Sequence, residues 1–157
     1  YWNNFEGWDQ TVNYLKGLGY EVVCIDKNHN YGNAIKTNYI PQNCIHYPGN
    51  SISDVINCLH HCDFMIGLSS GLSWLAWAVG KPVIMIAGAS AKKQEFYTPY
   101  KIINEEVCNC CAGDPDCEPF DRGNWLWCPK QGGTPRQFEC TTKISFEMVK
   151  EQIDRLL

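Results

Sequence analysis

The stretch from residue 64 to residue 88, FMIGLSSGLSWLAWAVGKPVIMIAG, decides the fold of this chain. An apolar run, FMIG, is followed by the turn Ser69-Ser70-Gly71, a segment with helical character that ends at Gly80, and a second apolar run, PVIMIA. Short apolar runs without alternating polar residues are typical of strands buried on both faces, as in parallel sheets whose connections are helices. The stretch therefore predicts a strand–turn–helix–strand unit of an α/β fold.

The same alternation continues on both sides of this stretch. Ser51 and Asp54 fit a capping box at the start of a further helix. The elements predicted from hydrophobic spacing and turn signals are helix 4–18, strand 21–26, strand 44–47, helix 52–61, strand 64–67, helix 71–79, strand 82–87, strand 101–107 and helix 146–157. Together they predict a Rossmann-like, doubly wound parallel sheet within residues 1–107.

Length and charge limit the range of functions. A chain of 157 residues with a net charge of −4 fits one main domain, and it has no basic run to neutralise a row of phosphates, so we expect no nucleic-acid partner. The longest apolar segment, 74–86, is interrupted by Gly80 and Lys81, so we expect a soluble, cytoplasmic protein without a membrane span. The opening Tyr-Trp-Asn-Asn has neither an initiator Met nor a signal sequence, and we expect a piece of a longer protein.

The turn Ser69-Ser70-Gly71 predicts an anion-binding site. Backbone amides at a helix N-terminus carry partial positive charge, and glycine lacks the Cβ that would keep a phosphate away. In open α/β sheets, ligands bind at such turns at the carboxyl edge of the strands. The alternative is that these residues only form a tight turn and a helix cap. Trp74 and Trp77 are interpreted first as core residues of a buried helix.

Other candidate residues carry weaker signals. Asp26, at the end of the first predicted strand, is a candidate acceptor for a ribose hydroxyl, although a strand-end turn explains it equally well. The histidines have no spacing to a serine or carboxylate that indicates a catalytic triad. No two carboxylates stand out as an acid–base pair, so the catalytic residues stay unknown.

Six of the ten cysteines lie between residues 108 and 140. Cys108 and Cys111 form a C-x2-C pair, and Cys128 and Cys140 complete a set of four thiolates, which is what a tetrahedral metal site requires. The surrounding stretch is too rich in Gly and Pro to build its own core, so a metal would supply folding energy. We predict a metal finger at residues 108–141 that holds iron or zinc, followed by a C-terminal helix in residues 142–157. Disulfides or incidental thiols are the alternative.

The remaining cysteines divide into two groups. Cys110 and Cys117 lie inside the predicted finger and are possible substitutes for one of its ligands. The other four occur singly within apolar or helical patterns, where a thiol behaves as a small buried hydrophobe: Cys24, Cys44, Cys58 and Cys62.

The order of strand, Gly-containing turn, helix, "GKPV" and further strand resembles the C-terminal half of GT-B glycosyltransferases of the heptosyltransferase type. In that family the turn holds the diphosphate of the sugar nucleotide. The resemblance implies the following diphosphate contacts: Ser69, Ser70, Gly71 and Leu72, with Ser73 next to them.

The strings GLSSGLSWLAWAVGKPVIM, VVCID and EFYTPYKIIN are more similar to bacterial autotransporter heptosyltransferases. Lipopolysaccharide enzymes tend to have Asp-Thr before the glycine and a His where Trp74 stands. The resemblance spans essentially the whole chain and implies transfer of heptose from ADP-heptose to serines of autotransporter adhesins. It also implies that the acceptor site and the catalytic base lie in an N-terminal domain that this chain lacks.

The same family carries a comparable cysteine motif that binds iron, with forms close to "WCP" and "GTPRQFECT". Iron is favoured over zinc by this resemblance alone. The resemblance further implies that the finger packs against a neighbouring subunit of a large homo-oligomer. The alternative function is a non-catalytic metal-binding scaffold or assembly module derived from a glycosyltransferase.

Overall fold

The computed structural model describes residues 5–27, 39–90, 94–111 and 128–157. Helices and strands alternate along these residues as the sequence predicts. The elements are α1 (Trp8–Gly17), β1 (Val23–Cys24), β2 (Ile45–His46), α2 (Ile52–His60), β3 (Met65–Leu68), α3 (Gly71–Ala78), β4 (Val83–Ile86), β5 (Lys101–Ile102), α4 (Glu139–Thr142) and α5 (Phe146–Leu156). In these ranges no helix is long and apolar enough to cross a bilayer.

Every strand pair in the described residues is parallel. β1 pairs with β2, and β4 lies between β3 and β5. Such pairs need a crossover connection, and α3 supplies it between β3 and β4, while α2 links β2 to β3. The predicted α/β class with a parallel sheet is therefore confirmed.

One face of β4 is covered by the first and last helices. Ile84 and Ile86 share a hydrophobic cluster with Leu15 of α1 and with Val149 and Ile153 of α5. Four of these five side chains are at most 1% exposed. The C-terminal helix thus packs into the same core as the sheet.

The other face of β4 packs against α2 and α3. Successive strand residues point to opposite faces, so Val83 and Met85 join a second cluster with Val55 and Leu59 of α2 and Ala76 of α3. All four residues of β4 are buried. This two-sided burial explains why β4 is apolar throughout in the sequence.

The start of α2 follows the predicted capping signal. Asp54 N–H donates to Ser51 Oγ (3.2 Å), and Ser51 N–H donates to Asp54 Oδ2 (3.0 Å), so the capping box of α2 is confirmed. Ser145 caps α5 in a similar way, because its hydroxyl accepts a hydrogen bond from Met148 N–H (3.3 Å). Both helices therefore begin with a side chain that satisfies one of their amides.

The interpretation of Trp74 and Trp77 as core residues is wrong. These side chains are 41% and 49% exposed, and α3 buries the small residues Ser73 and Ala76 instead. The two indoles lie on the outer surface against Phe96, with Trp77 stacked on that ring at 5.4 Å between centroids. Small residues on the inner face let α3 approach the sheet closely, which leaves the bulky residues outside.

Replacing Ile153 with alanine should test the contribution of α5 to the common core. Ile153 is fully buried, so Ile153→Ala should lower the free energy of unfolding by about 2–5 kcal/mol. The control is Leu157→Ala at the exposed chain end, which should change it by less than about 0.5 kcal/mol. Urea unfolding followed by circular dichroism measures both, and equal effects would show that α5 does not share this core.

Candidate functional site

A cavity of about 760 Å³ lies between β1 and β3. The chain pairs β1 with β2 on one side and then crosses through α2 to β3, which faces β1 across the cavity. The cavity extends along both strands and includes Asp26 and Ser70 beyond their carboxyl ends, the edge at which α/β proteins bind ligands. The volume falls within the range typical of small-molecule sites.

Three of the predicted site residues line this cavity: Asp26, Ser70 and Leu72. Asp26 follows β1, whereas Ser70 and Leu72 flank the start of α3, so the two strand ends supply opposite walls. Ser69, Gly71 and Ser73 are not among the lining residues in the described part of the chain. The structure thus brings Asp26 and the turn together, although they are far apart in the sequence.

The N-terminus of α3 has no side-chain cap. Ser70 occupies the cap position in an extended conformation, but its side chain makes no capping hydrogen bond, and the first turn contains no acidic residue. The first hydrogen bond of the helix runs from Trp74 N–H to Ser70 O (3.1 Å). The amides that precede Trp74 therefore have no acceptor within the helix. Unlike α2 and α5, this helix leaves its partial positive charge for another acceptor.

Gly71 is exposed and has open space around it. A Cβ built at this position meets no other atom within 4 Å. Its φ lies outside the left-handed region that favours glycine, so neither packing nor backbone conformation requires glycine here. The missing side chain leaves room for a ligand to approach the amides of the turn.

Ser69 and Ser73 hold the turn in place. Ser69 N–H donates to Ile86 O (3.0 Å), which ties the end of β3 to β4. The hydroxyl of Ser73 is fully buried and donates to Leu68 O (2.5 Å). The same hydroxyl fills the space beside Gly67, where a Cβ would lie 2.7 Å from it. Both serines therefore support the geometry of the turn.

The opposite wall is fixed by a residue that the sequence analysis did not assign to the site. His46 on β2 donates from Nε2 to the backbone oxygen of Asp26 (2.8 Å). This bond holds the chain just after β1, where the Asp26 carboxylate lies at the cavity. The pairing of the two short strands placed these residues together, and no local pattern predicts it.

Sulfurs of the predicted finger lie near one another: Cys108 is beside Cys111, and Cys140 is near Cys128 and Cys108. The sulfurs of Cys108 and Cys111 are 3.7 Å apart, a separation that fits two ligands of one tetrahedral ion with bonds of about 2.3 Å. Burial, together with the nearby sulfurs of Cys128 and Cys108, raises the pKa of the Cys140 thiol to about 12. The donor chemistry suits a thiolate-bound metal.

The described residues do not show a complete metal centre. Among them, no three His, Cys, Asp or Glu side chains gather closely enough to hold one ion. None of the nine cysteines in the described residues forms a disulfide: Cys24, Cys44, Cys58, Cys62, Cys108, Cys110, Cys111, Cys128 and Cys140. Cys117 lies outside the described residues, as does much of the predicted finger.

An ion pair between the exposed Arg136 and the buried Glu139 supports the two cysteine segments. Glu139 is 7% exposed; its Oε1 accepts a hydrogen bond from Cys108 N–H (3.0 Å). Arg136 donates to both carboxylate oxygens, at 3.0 and 2.7 Å, and these bonds lower the pKa of Glu139. The sequence analysis did not predict the contact between Glu139 and Cys108, because these two residues are far apart in the chain. Glu139 thereby joins the segments around Cys108 and Cys140.

The sequence pattern of glycosyltransferase family 9 (heptosyltransferase) matches residues 2–120. This chain belongs to glycosyltransferase family 9. The match contains the cavity walls, the turn before α3 and the Cys108–Cys111 pair. It ends before Cys128 and Cys140, so the second half of the predicted finger lies outside the common part of the family.

Similar proteins identify the branch of the family. The chain is 46% identical to the autotransporter heptosyltransferase BAHTCr of Citrobacter rodentium, over 99% of this chain and 38% of the relative. It is 35% identical to BimC of Burkholderia thailandensis, named an inactive autotransporter heptosyltransferase, over 97% of this chain and 36% of the relative. These matches confirm the resemblance to autotransporter heptosyltransferases, although the chain spans only about two fifths of their length.

A solved structure shows the same fold. TibC from enterotoxigenic Escherichia coli, described as an iron-containing dodecameric glycosyltransferase, superposes with a TM-score of 0.91 at 43% identity. The match covers 99% of this chain and 41% of TibC. A second TibC structure, in complex with ADP-D-beta-D-heptose, gives a TM-score of 0.90. The family 9 chain therefore has the fold of part of a GT-B-like enzyme.

The close contact between Gly67 and Ser73 predicts a coupled pair of mutations. Gly67→Ala should lower the free energy of unfolding by about 1–3 kcal/mol, because the new Cβ would overlap the Ser73 hydroxyl. In a Ser73→Ala background the hydroxyl is gone, so the same change at Gly67 should cost much less. Urea unfolding of the two single variants and the double variant measures the coupling. Additive costs would contradict this explanation of the turn.

Proposed function

We propose that this chain is the nucleotide-sugar-binding part of a cytoplasmic enzyme that transfers heptose from ADP-heptose to serine hydroxyls of autotransporter adhesins. The observation that carries the proposal is the uncapped N-terminus of α3, with the open space at Gly71, beside the cavity. The ADP-heptose complex of TibC and the names of the relatives support the choice of donor and acceptor. Family membership alone leaves both of them open.

The residues at the cavity have distinct proposed roles. The amides around Gly71 and Leu72 and the hydroxyl of Ser70 bind the diphosphate, while Ser69 and Ser73 keep the turn in position. Negative charge grows on the diphosphate as its bond to the sugar breaks, and the amides at the helix N-terminus stabilise that charge. Asp26 accepts a hydrogen bond from a ribose hydroxyl on the opposite wall.

The catalytic base and the acceptor site are proposed to lie outside this chain. The relatives named as heptosyltransferases are much longer than the segment matched here. A base must reach the serine hydroxyl of the acceptor, and none of the residues assigned around the diphosphate is placed for that role. The chain then contributes the donor half of a two-domain active site.

The cysteine segments are proposed to hold iron through Cys108, Cys111, Cys128 and Cys140 in a finger spanning residues 108–141. Four thiolates would occupy all four coordination positions of a tetrahedral ion and leave none for water. The metal would therefore have a structural role and no catalytic one. The iron-containing, dodecameric TibC supports iron over zinc and a large homo-oligomer. The 3.7 Å distance between the Cys108 and Cys111 sulfurs supports their shared role.

A non-catalytic scaffold is the second candidate. The relative BimC is named as inactive and still shares 35% identity with this chain, so the fold persists without that activity. A scaffold would keep the cysteine segments and the parallel sheet but would not need an open helix N-terminus at Gly71. Binding of ADP distinguishes the two candidates.

Gly71→Ala should separate ligand binding from stability. No atom occupies the space around this residue, so the free energy of unfolding should stay unchanged or rise by about 0.4–1 kcal/mol. The new methyl group would displace the diphosphate from the amides, and losing one charge-assisted hydrogen bond should weaken ADP binding by about 10–100-fold. Isothermal titration calorimetry with ADP and with ADP-heptose measures the loss.

A matched control for this variant is Gly17→Ala. Gly17, the last residue of α1, is also helical and also has open space at its Cβ position, but it does not line the cavity in the described residues. This variant should bind ADP as the wild type does. Unchanged ADP affinity in Gly71→Ala would remove the diphosphate site, and absence of ADP binding in the wild type would favour the scaffold.

The metal proposal predicts that Cys128→Ser loses the ion. A serine hydroxyl is a poor ligand for a site built from thiolates, so metal content should fall from about one ion per chain to nearly none. Cys44→Ser is the control, because its thiol donates to Pro41 O (3.0 Å) and a hydroxyl can make the same bond. Plasma emission spectrometry of the purified proteins gives the metal content. Full metal content in Cys128→Ser would show that Cys128 is not a ligand.

A further inference from the structure

Gly88 is the point at which both cysteine segments touch the sheet. Its carbonyl oxygen, two residues beyond β4, accepts a hydrogen bond from Cys110 N–H (2.5 Å). A Cβ at Gly88 would lie 2.6 Å from Cys140 O and 3.1 Å from Cys140 Cβ. Its φ of +152° is one that other residues rarely adopt. Backbone conformation and packing therefore both require glycine here.

The same few residues of the sheet also hold the turn before α3. Ile86 pairs with Leu68 in the parallel register, and Ile86 O accepts the hydrogen bond from Ser69 N–H. Ala87 N–H donates to Ile102 O (2.9 Å), which fixes the segment from the other side. Only one residue separates Ile86, which contacts the turn, from Gly88, which contacts the cysteines.

The cysteine segments are joined to each other before any metal is considered. Glu139 accepts the hydrogen bond from Cys108 N–H and is held by Arg136. The segment 108–111 and the segment around Cys140 therefore contact Gly88 as one joined unit. A metal bound by thiols of both segments would tighten that unit against the end of β4.

We propose that the cysteine-rich segment braces the ligand-binding edge of the sheet and that Gly88 is the positioning residue through which metal binding strengthens nucleotide binding. This inference rests on the proposed function, because it takes the turn before α3 to be the diphosphate site. It assigns the metal a second effect besides folding its own segment: the ion fixes β4 at Gly88, and β4 fixes Ser69. The coupling is reciprocal, so bound nucleotide also retains the metal.

The first test is Gly88→Ala. The added methyl group would push the Cys140 backbone away from β4, and ADP affinity should fall by roughly tenfold, within the range usual for coupled sites. The control is Gly133→Ala, because Gly133 also has a positive φ (+72°) in the cysteine-rich region but has open space at its Cβ position. This control also replaces a glycine of positive φ in the same region but introduces no clash, so it should bind ADP as the wild type does.

The second test uses the wild-type protein and does not depend on the variant folding. ADP affinity is measured by calorimetry for the metal-loaded protein and for protein stripped with a chelator, with circular dichroism to check that the sheet persists. The stripped protein should bind ADP roughly tenfold more weakly, and saturating ADP should slow the loss of metal to the chelator by a similar factor.

The outcomes separate the inference from the function on which it rests. ADP binding that is equal with and without metal, and equal in Gly88→Ala, overturns the brace and leaves the nucleotide site intact. A wild-type protein that binds no ADP in either state overturns the proposed function and the brace with it. Weaker binding in the stripped protein, together with slower metal loss in the presence of ADP, supports the coupling even if Gly88→Ala does not fold.

Discussion

The parallel pairing of β3 with β4 is the interaction on which the rest of the structure depends. It aligns Leu68 with Ile86, and the bond from Ser69 N–H to Ile86 O extends the pairing beyond the end of β3. A shift of one residue would move every side chain of β4 to the other face of the sheet, and both of its faces are buried. Such a shift would place each side chain against the wrong cluster of helix residues, so the register is fixed by side-chain packing on the two faces. As a result, the turn before α3, which is the proposed diphosphate site, and Gly88, which contacts the cysteine segments, lie side by side at the carboxyl edge of the sheet.

The sequence predicted the features that depend on local signals, but it did not predict those that depend on contacts between residues far apart in the chain. The alternation of short apolar runs with helical segments predicted the parallel α/β fold, and Ser51 with Asp54 predicted the start of α2. Helix α4 was not predicted, since it begins at Glu139, whose bond to Cys108 N–H crosses much of the chain. Trp74 and Trp77 were misplaced because aromatic content indicates burial but not which helix face meets the sheet. The turn of the candidate site could be predicted from its local sequence, whereas its position opposite Asp26 depends on the order of the strands. The ligand roles themselves rest on the family resemblance.

Three glycines of this region show how a fold constraint differs from a ligand constraint. Gly67 and Gly88 are required by the protein itself, because a side chain at either would overlap Ser73 Oγ or Cys140 O. Gly71 meets no such neighbour and has no unusual φ. A glycine that the fold does not need lowers helix stability relative to alanine. Gly17 is equally unhindered but does not line the cavity in the described residues, so it is the position of Gly71 beside the cavity that supports the proposed ligand site.

The cysteines likewise fall into two groups: those whose thiols have a hydrogen-bond partner in the protein and those proposed to bind a metal. Cys44 and Cys62 donate hydrogen bonds to the carbonyl oxygens of Pro41 and Cys58, and burial raises the pKa of both thiols, so they stay protonated. Such thiols have an internal partner and need no metal. Cys108 and Cys111 have sulfurs near each other, and Cys140 lies buried near further sulfur atoms. Burial that raises the thiol pKa so far opposes an uncompensated thiolate, and a cation is the group that reverses this effect because it stabilises the deprotonated form. Without a cation the Cys140 thiol therefore stays protonated, as Cys44 and Cys62 do, and the proposed metal would have to displace its proton on binding.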